Sequence, residues 1–178
     1  DEIAIHAGGF FKFDEATIMA WSGPVLLDGG VVEGSGILVG SEKFNFPRGK
    51  LVVTPSLHPQ QLEGSLIVNG TYVQGKDAEL VITLMNRDHY SRLYVTPGQK
   101  IPLVHLAGTL TVRLGYTPRK RDRFDILTYH KAYGPPRGKF DHIKLTDLAG
   151  NPLDLPFKVQ YFGRFEEAPE HAGVALIF

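Results

Sequence analysis

Three aspartates lie close together in the sequence and are the main candidates for acid–base chemistry. Asp122 and Asp125 flank Phe124, and Asp141 follows a glycine-containing turn. A glycosidase needs two carboxyl groups at a defined separation across a cleft, so these residues would suit a carbohydrate-active enzyme. Acids beside turns are more often solvated, and the chain has no nucleophile elbow, phosphate loop or dinucleotide fingerprint. We therefore predict no catalytic residue and no enzyme activity.

Histidines are the candidates for metal binding, and the sequence contains seven: His6, His58, His89, His105, His130, His142 and His171. They are scattered, and none forms a His-x-His or His-x-x-x-His pair. His105 stands within an apolar run, where we expect a strand residue with a local hydrogen bond. Because there is no cysteine, disulfides and thiolate metal sites are excluded. We predict neither a metal site nor a cofactor.

One dense basic cluster consists of Arg119, Lys120, Arg121 and Arg123, and it follows Pro118. Cations gathered on a loop can bind an acidic polysaccharide, a lipopolysaccharide or a phosphate group. Such residues also occur at solvated hairpin ends and as gatekeepers beside apolar strands. The solvated loop is the preferred interpretation, and ligand binding by these four residues is the alternative.

Aromatic residues make up 11% of the chain, and several lie near its start: Phe10, Phe11, Phe13, Phe44 and Phe46. Exposed aromatic rings can hold sugars. Stacked aromatic rings in a β core or at a subunit interface are the commoner arrangement, and we expect that arrangement here.

Composition limits the classes of protein that the chain can represent. Its 178 residues suffice for one core, and 43% hydrophobic with 21% charged residues is typical of a globular domain. Basic and acidic residues number 19 each, which disfavours a nucleic-acid binder. No apolar run approaches the ~18 residues of a membrane-spanning helix. The start Asp1-Glu2-Ile3 is what signal cleavage or a fragment boundary would leave.

The hydrophobic pattern is that of many short strands. Residues 109–114 alternate polar and apolar side chains with a period of two, as do residues 157–161. Turn residues such as Asn69-Gly70 separate these runs. Further strand-like runs are 51–53, 65–68, 79–85, 93–95, 124–129 and 174–178. The sequence predicts an all-β protein whose one helical element is a single turn at residues 14–21, capped by Asp14.

The first fifty residues are rich in glycine, and their apolar runs are very short. Val25–Leu27, Val31-Val32 and Ile37–Val39 are separated by glycines. Strands of about three residues between glycine corners suit a solenoid, whereas a β-sandwich or jelly roll, the alternative, usually has longer strands. We predict one domain over 1–178, with glycine-rich rungs at 1–48 and a β-helix with its cap at 49–178.

From Gly49 onward the order of motifs resembles a known family. Gly64–Gln74 reads G-S-L-I-V-N-G-T-Y-V-Q, Gly108–Val112 reads G-T-L-T-V, Phe124–Leu127 reads F-D-I-L, and the chain closes with Val174–Phe178. This order resembles the C-terminal part of right-handed parallel β-helices in autotransporter passengers and related large exported bacterial surface proteins. The resemblance implies a short right-handed parallel β-helix with a C-terminal cap, and a stalk or adhesive scaffold without cofactor or catalytic residue. The chain departs from the family in carrying proline, arginine and histidine in its turns.

Strand-like termini suggest assembly. The residues concerned are Ile3, Ile5, Val174, Leu176 and Phe178, and a free apolar edge strand can pair with a neighbouring chain. The predicted function is a non-catalytic structural or adhesive module of an exported bacterial surface or fibre protein, located outside the cell at the bacterial surface. Its expected partners are further copies or neighbouring surface-protein segments. A β-helix carbohydrate-active enzyme and a polysaccharide- or polyanion-binding module are the alternatives, the latter with a polysaccharide as ligand.

Overall fold

The structure, a computed structural model, describes residues 3–19, 23–39, 43–56, 65–96, 104–130, 134–163 and 171–178. Within these ranges the chain contains no helix. Its strands form one curled, open sheet of 14 strands with the form of a half-barrel. The all-β prediction is confirmed.

The strands differ widely in length. In chain order they are β1 (Ile3–His6), β2 (Phe10–Met19), β3 (Val25–Val39), β4 (Lys43–Val53), β5 (Leu66–Asn69), β6 (Thr71–Leu84), β7 (Leu93–Thr96), β8 (Val104–Leu106), β9 (Thr109–Leu114), β10 (Arg123–His130), β11 (Arg137–Gly138), β12 (His142–Asp147), β13 (Lys158–Phe162) and β14 (His171–Ile177).

Successive passages of the chain pair side by side in parallel, and the pairs form three ladders. The first ladder runs through β1, β3, β4, β6, β8 and β11. The second runs through β2, β3, β4, β6, β9 and β12. The third runs through β2, β3, β5, β7 and β10. We call one passage of the chain through these ladders a coil.

The core consists of inward-facing side chains that lie above one another in successive coils. In the second ladder Val32, Leu51, Leu80 and Leu110 occupy equivalent positions, and all are buried. In the first ladder the rings of Phe44 and Tyr72 stack 5.8 Å apart with an interplanar angle of 11°. Because strand side chains alternate between two faces, the residues between these positions point outward.

Glycine marks the corner between the first and second ladders, where the backbones of adjacent coils approach closely. Gly108 has φ +68°, and a Cβ there would lie 2.5 Å from the carbonyl oxygens of Ala78 and Gly75. Its amide also donates to Asp141 Oδ2 at 2.6 Å, which joins it to the next coil. A side chain at this position would meet rigid backbone, so glycine is required.

The C-terminal end of the coil stack is covered by antiparallel strands. β14 pairs with β10 on one side and with β13 on the other. Residues that precede or belong to β13, among them Leu153, Leu155 and Phe157, pack against the core from this end. The Phe140 amide donates to Tyr161 Oη at 3.1 Å, which attaches this layer to the coils.

Most predicted strands are confirmed, and two local predictions are wrong. The helical turn at residues 14–21 is absent as far as Met19, because β2 pairs there with β3, from Ala16↔Gly36 to Met19↔Val39. The three short strands expected between Val25 and Val39 are one continuous strand, β3. Glycines bend this strand without ending it, and its pairing with β4 shifts register between Leu26 and Asp28 and again before Val31. The predicted division between residues 48 and 49 falls inside β4.

Candidate functional site

An open groove lies on the outer surface at the glycine corner and crosses several coils. Its volume is about 410 Å³. Three glycines from two coils leave part of its floor without side chains, and its walls carry charged and hydroxyl groups, namely Lys50, Lys76, Asp77, Glu79, Thr109 and Lys144. A shallow polar groove of this kind can accept an extended polar ligand such as a polysaccharide.

The charges of this groove are largely neutralised by each other across adjacent coils. Lys50 Nζ lies 3.0 Å from Glu79 Oε2, and the Thr111 hydroxyl donates to Glu79 Oε1 at 2.6 Å. Burial alone would raise the pKa of Glu79, but these hydrogen bonds and the charges of Lys50 and Lys144 hold that pKa below its usual range. The cluster therefore fastens adjacent coils.

A second ionic cluster connects the first three coils near the same corner. Arg48 donates to both carboxylate oxygens of Asp28, and His6 Nδ1 lies 3.5 Å from Asp28 Oδ2. The hydrogen bonds from Arg48 lower the pKa of the Asp28 carboxyl. These residues stand on β4, β3 and β1, so their contacts bridge successive coils.

The four residues of the basic cluster are divided by the structure into two groups. Arg119, Lys120 and Arg121 are exposed on the turn before β10. Arg123 is instead half-buried: its Nε donates to Asp125 Oδ1 at 2.9 Å, and its guanidinium lies 5.1 Å from the ring centre of Phe162.

The exposed basic turn has an unusual backbone. Arg121 has φ +76°, a left-handed conformation that is uncommon for a residue with a side chain. The turn is held by its own hydrogen bonds, since the Arg119 amide donates to Asp122 Oδ2 at 2.9 Å and the Asp122 amide donates to the Arg119 oxygen at 3.0 Å. Arg87, which sequence reasoning missed, adds a fourth cation 3.7 Å from Asp122 Oδ1.

The three candidate acids have separate structural contacts. Asp122 caps the basic turn, Asp125 accepts from Arg123, and Asp141 accepts from the Gly108 amide. Asp122 is buried and Asp125 is half-buried. Each carboxylate therefore already accepts a hydrogen bond that stabilises its own part of the fold.

The histidines that the structure describes lie on different elements. His89 Nε2 is 3.1 Å from the Ser56 oxygen, and the His171 ring packs edge-on against Tyr94. His105 is exposed in the middle of β8, and His130 and His142 are exposed too, whereas His58 is outside the described residues. Across the described ranges, no group of three or more histidine, aspartate and glutamate side chains is placed to hold a metal ion.

Aromatic side chains of the first fifty residues separate by position. Phe44 and Phe46 are fully buried and Phe13 is nearly so, as expected for core residues. Phe10 and Phe11 are 62% and 41% exposed, and both lie on β2 in the first coil. Phe11 shares a face of β2 with Phe13, whereas Phe10 lies on the opposite face, so the two exposed rings do not form one surface.

The two terminal segments predicted to support assembly differ in their pairing. Val174 and Leu176 lie in β14, which is paired on both edges within the chain, and both side chains are buried. The Phe178 amide donates to the Asp122 oxygen at 3.0 Å. Both edges of β14 are therefore already occupied within the described residues. Ile3 and Ile5 lie in β1, which pairs with β3 along one edge only among the described residues.

A degenerate five-residue pattern, which sequence reasoning missed, places the groove residues. The segments G-F-F-K-F, G-V-V-E-G, G-K-L-V-V, A-E-L-V-I, G-T-L-T-V and D-H-I-K-L begin at Gly9, Gly30, Gly49, Ala78, Gly108 and Asp141, and they align in the second ladder. The second letter is an outward residue beside the corner, which brings Lys50 next to Glu79. This pattern is the sequence signal from which the groove could have been predicted. It is hard to recognise because the spacing between the segments is irregular and the outward residues vary.

Comparison with known proteins does not add a family to these observations. No family model matches the chain, and neither a curated protein nor a solved structure is significantly similar to it. Within the described ranges, the structure has no helix with the length and apolar character that a bilayer-spanning segment requires.

Proposed function

We propose that the chain is a non-catalytic structural or adhesive module of an exported bacterial surface protein, built as a short right-handed parallel β-helix with a C-terminal cap. The observation that carries this proposal is the set of three parallel ladders that join each coil to the next. β-Sandwiches and jelly rolls are built from antiparallel pairs, so the ladders favour the β-helix. Right-handedness follows from the strong preference of parallel crossover connections for that hand.

Rigidity is the property that such a module would contribute. Adjacent coils are joined by backbone ladders, by core side chains in columns and by outer ion pairs such as Lys12–Glu33, whose charged atoms are 3.5 Å apart. A stack of this kind holds outer side chains at fixed positions along its length. A stalk or an adhesive surface outside the cell uses that property directly, and needs no cofactor.

The contacts of the candidate acids support a non-catalytic role. A catalytic carboxyl pair must be available to a substrate across a cleft, whereas Asp122, Asp125 and Asp141 each accept a hydrogen bond that stabilises the fold. The test is to incubate the purified protein with a panel of neutral and acidic polysaccharides and to measure both cleavage of each polysaccharide and its binding to the protein. A polysaccharide that is bound or ignored, with no new polysaccharide chain ends formed, agrees with the proposal. Cleavage that is lost in Asp125→Asn and kept in Asp154→Asn, an exposed acid outside the candidate set, would establish the enzyme instead.

The conformation of the basic turn favours polyanion binding as a second candidate function. Arg121 is held with φ +76° by a buried aspartate, and non-glycine residues in this conformation cluster at functional sites. Arg119, Lys120 and Arg121 are thereby exposed together. Heparin retention that falls with salt, and falls further in Arg119→Ala/Arg121→Ala, would support this function. Arg123→Ala is the control, because that guanidinium is committed to Asp125 and Phe162.

A further inference from the structure

Two loops from neighbouring coils lie side by side at the corner between the second and third ladders. Residues 85–92 connect β6 to β7, and residues 115–122 connect β9 to β10. Because β6 pairs with β9 and β7 pairs with β10, the two loops make the same crossing in adjacent coils, whose strands are spaced by about 4.8 Å. The Gly115 amide donates to the Leu84 oxygen at 2.8 Å, which joins the two coils where the loops begin.

The 85–92 loop is held in one conformation by its own polar contacts. The side-chain oxygen of Asn86 accepts hydrogen bonds from the amides of Asp88 and His89, both at 2.9 Å. His89 Nε2 also lies 3.1 Å from the Ser56 oxygen of the preceding coil. These contacts fix the backbone on both sides of Arg87, so this arginine projects from a defined position.

The buried carboxylate of Asp122 connects the two loops. Its Oδ2 accepts from the Arg119 amide of its own loop at 2.9 Å, and its Oδ1 lies 3.7 Å from Arg87 Nε of the neighbouring loop. That second distance exceeds a hydrogen bond, so the donors of Arg87 are not committed to Asp122. Burial and the charge of Asp122 raise the pKa of the Tyr116 hydroxyl to about 12, and the charges of Arg87 and Asp88 act on the same hydroxyl. Both loops therefore meet around Asp122 and Tyr116.

The exposed charges of these two loops are mainly positive. Four cations are exposed there, namely Arg87, Arg119, Lys120 and Arg121. Asp88 is the one exposed carboxylate of residues 85–92 and 115–122, because Asp122 is buried. The whole chain has equal numbers of basic and acidic residues, and the groove at the glycine corner pairs its lysines Lys50 and Lys76 with acids. The positive charge of the two loops is, in contrast, only partly compensated.

We propose that the two loops together bind the sulfate or phosphate ester groups of an acidic polysaccharide, with Arg87 of one coil completing the cations of the next. Guanidinium forks match the oxygens of such groups. An ester of this kind has three terminal oxygens and can accept from both loops at once, whereas one guanidinium satisfies the two oxygens of a sugar carboxylate. Asp122 is a positioning residue, since it holds the loops and stays buried. This site deepens the polyanion-binding function proposed above and rests on it.

Fluorescence anisotropy with labelled oligosaccharides and the full chain tests this site. The three probes carry equal numbers of negative charges: a sulfated heparin fragment, a phosphorylated oligomannoside and an oligogalacturonate with carboxylates alone. One ester probe should bind more tightly than the galacturonate, and its identity distinguishes sulfate from phosphate. Arg87→Ala should weaken binding of that probe by about tenfold or more, as expected for a lost charge-assisted hydrogen bond. Asp88→Asn removes a repulsive charge and should strengthen binding by about twofold, a gain that unfolding cannot produce.

Arg137→Ala is the matched control, because it removes an exposed arginine from β11, which belongs to the first ladder. It should leave binding unchanged. An equal loss in Arg137→Ala, no gain in Asp88→Asn, or a galacturonate bound as tightly as both esters would each overturn the two-loop site. Binding that is lost in Arg119→Ala/Arg121→Ala but kept in Arg87→Ala overturns this site and leaves the polyanion-binding function standing. If the unaltered chain binds none of the three probes, both are overturned.

Discussion

Gln74 is a buried polar residue whose side chain connects two coils of the core. It is 1% exposed, its Oε1 accepts a hydrogen bond from Tyr72 Oη at 2.9 Å, and its Nε2 donates to the Thr109 oxygen at 3.1 Å. Replacing it by leucine keeps most of the volume and removes these two hydrogen bonds, together with a longer donation from Nε2 to the Ala78 oxygen at 3.5 Å. The Tyr72 hydroxyl is then left in the core without its acceptor.

The expected loss follows from these two contacts. A buried hydroxyl that loses its partner costs about 1–3 kcal/mol, and the lost bond to Thr109 adds about 1 kcal/mol. Gln74→Leu should therefore lower the free energy of unfolding by about 2–4 kcal/mol. Tyr72→Phe alone leaves the Gln74 oxygen without its donor and should cost about 1–2 kcal/mol. The double variant removes both members of the pair, so it should cost less than the sum of the single variants by about 1 kcal/mol or more.

Urea denaturation followed by far-ultraviolet circular dichroism measures all four proteins under the same conditions. The four denaturant slopes must be equal, so that the change in midpoint reports stability. Costs that add to within about 0.5 kcal/mol would show that the two side chains are not coupled. That result would refute the assigned hydrogen bond between Tyr72 and Gln74.

Three further predictions concern backbone contacts and pH. Gly108→Ala should lower the free energy of unfolding by about 3 kcal/mol, because its Cβ would lie 2.5 Å from two carbonyl oxygens. Gly150→Ala is the control: Gly150 also has a positive φ but no atom within 4 Å of the added Cβ, so the loss should be about 1 kcal/mol. Equal decreases in melting temperature for the two variants would contradict this prediction. Burial raises the pKa of Tyr72 and Tyr129, so the folded state favours the neutral phenols. The stability that these two phenols contribute to the folded state should be complete below pH ~10 and should fall as the pH rises above it, because the phenols of the unfolded chain ionise there first. A free energy of unfolding that does not change from pH ~9 to ~11 would contradict this prediction. Asp141→Ala should cost about 1–3 kcal/mol and speed hydrogen exchange at the Gly108 amide, and an unchanged exchange rate would argue against that bond.

The all-β class could be predicted from the sequence because it depends on local pattern. Residues 109–114 alternate polar and apolar side chains, and they form β9 with the predicted bounds. Residues 93–95 and 124–129 likewise fall within β7 and β10. In each case the alternation, the β-branched residues and the flanking turns all indicate a β-strand. Secondary structure can be predicted from local sequence when its separate signals agree in this way.

Features that depend on distant partners could not be predicted in the same way. β2 is extended because β3 pairs with it, and residues 14–19 carry no local signal of that pairing. The contact between Lys50 and Glu79 requires the register of β4 and β6, which places those two residues side by side. The position of the groove followed from that register alone. The basic turn was identified from its sequence, but the separate role of Arg123 depends on Asp125 and Phe162.

The corner between the second and third ladders varies greatly in length from one coil to another. In β3 the chain crosses it through Ser35 alone, between Gly34 and Gly36, which belong to adjacent ladders. Other coils use residues 85–92 or 115–122 for the same crossing, and the ladders on either side keep their parallel pairing. The entropic cost of closing a surface loop rises only slowly with the length of the loop.

This corner is therefore the place where the chain can accept additional sequence at little cost. Insertions there would lengthen a loop without shifting a ladder, so related proteins could diverge in what this side of the molecule displays while keeping the same coils.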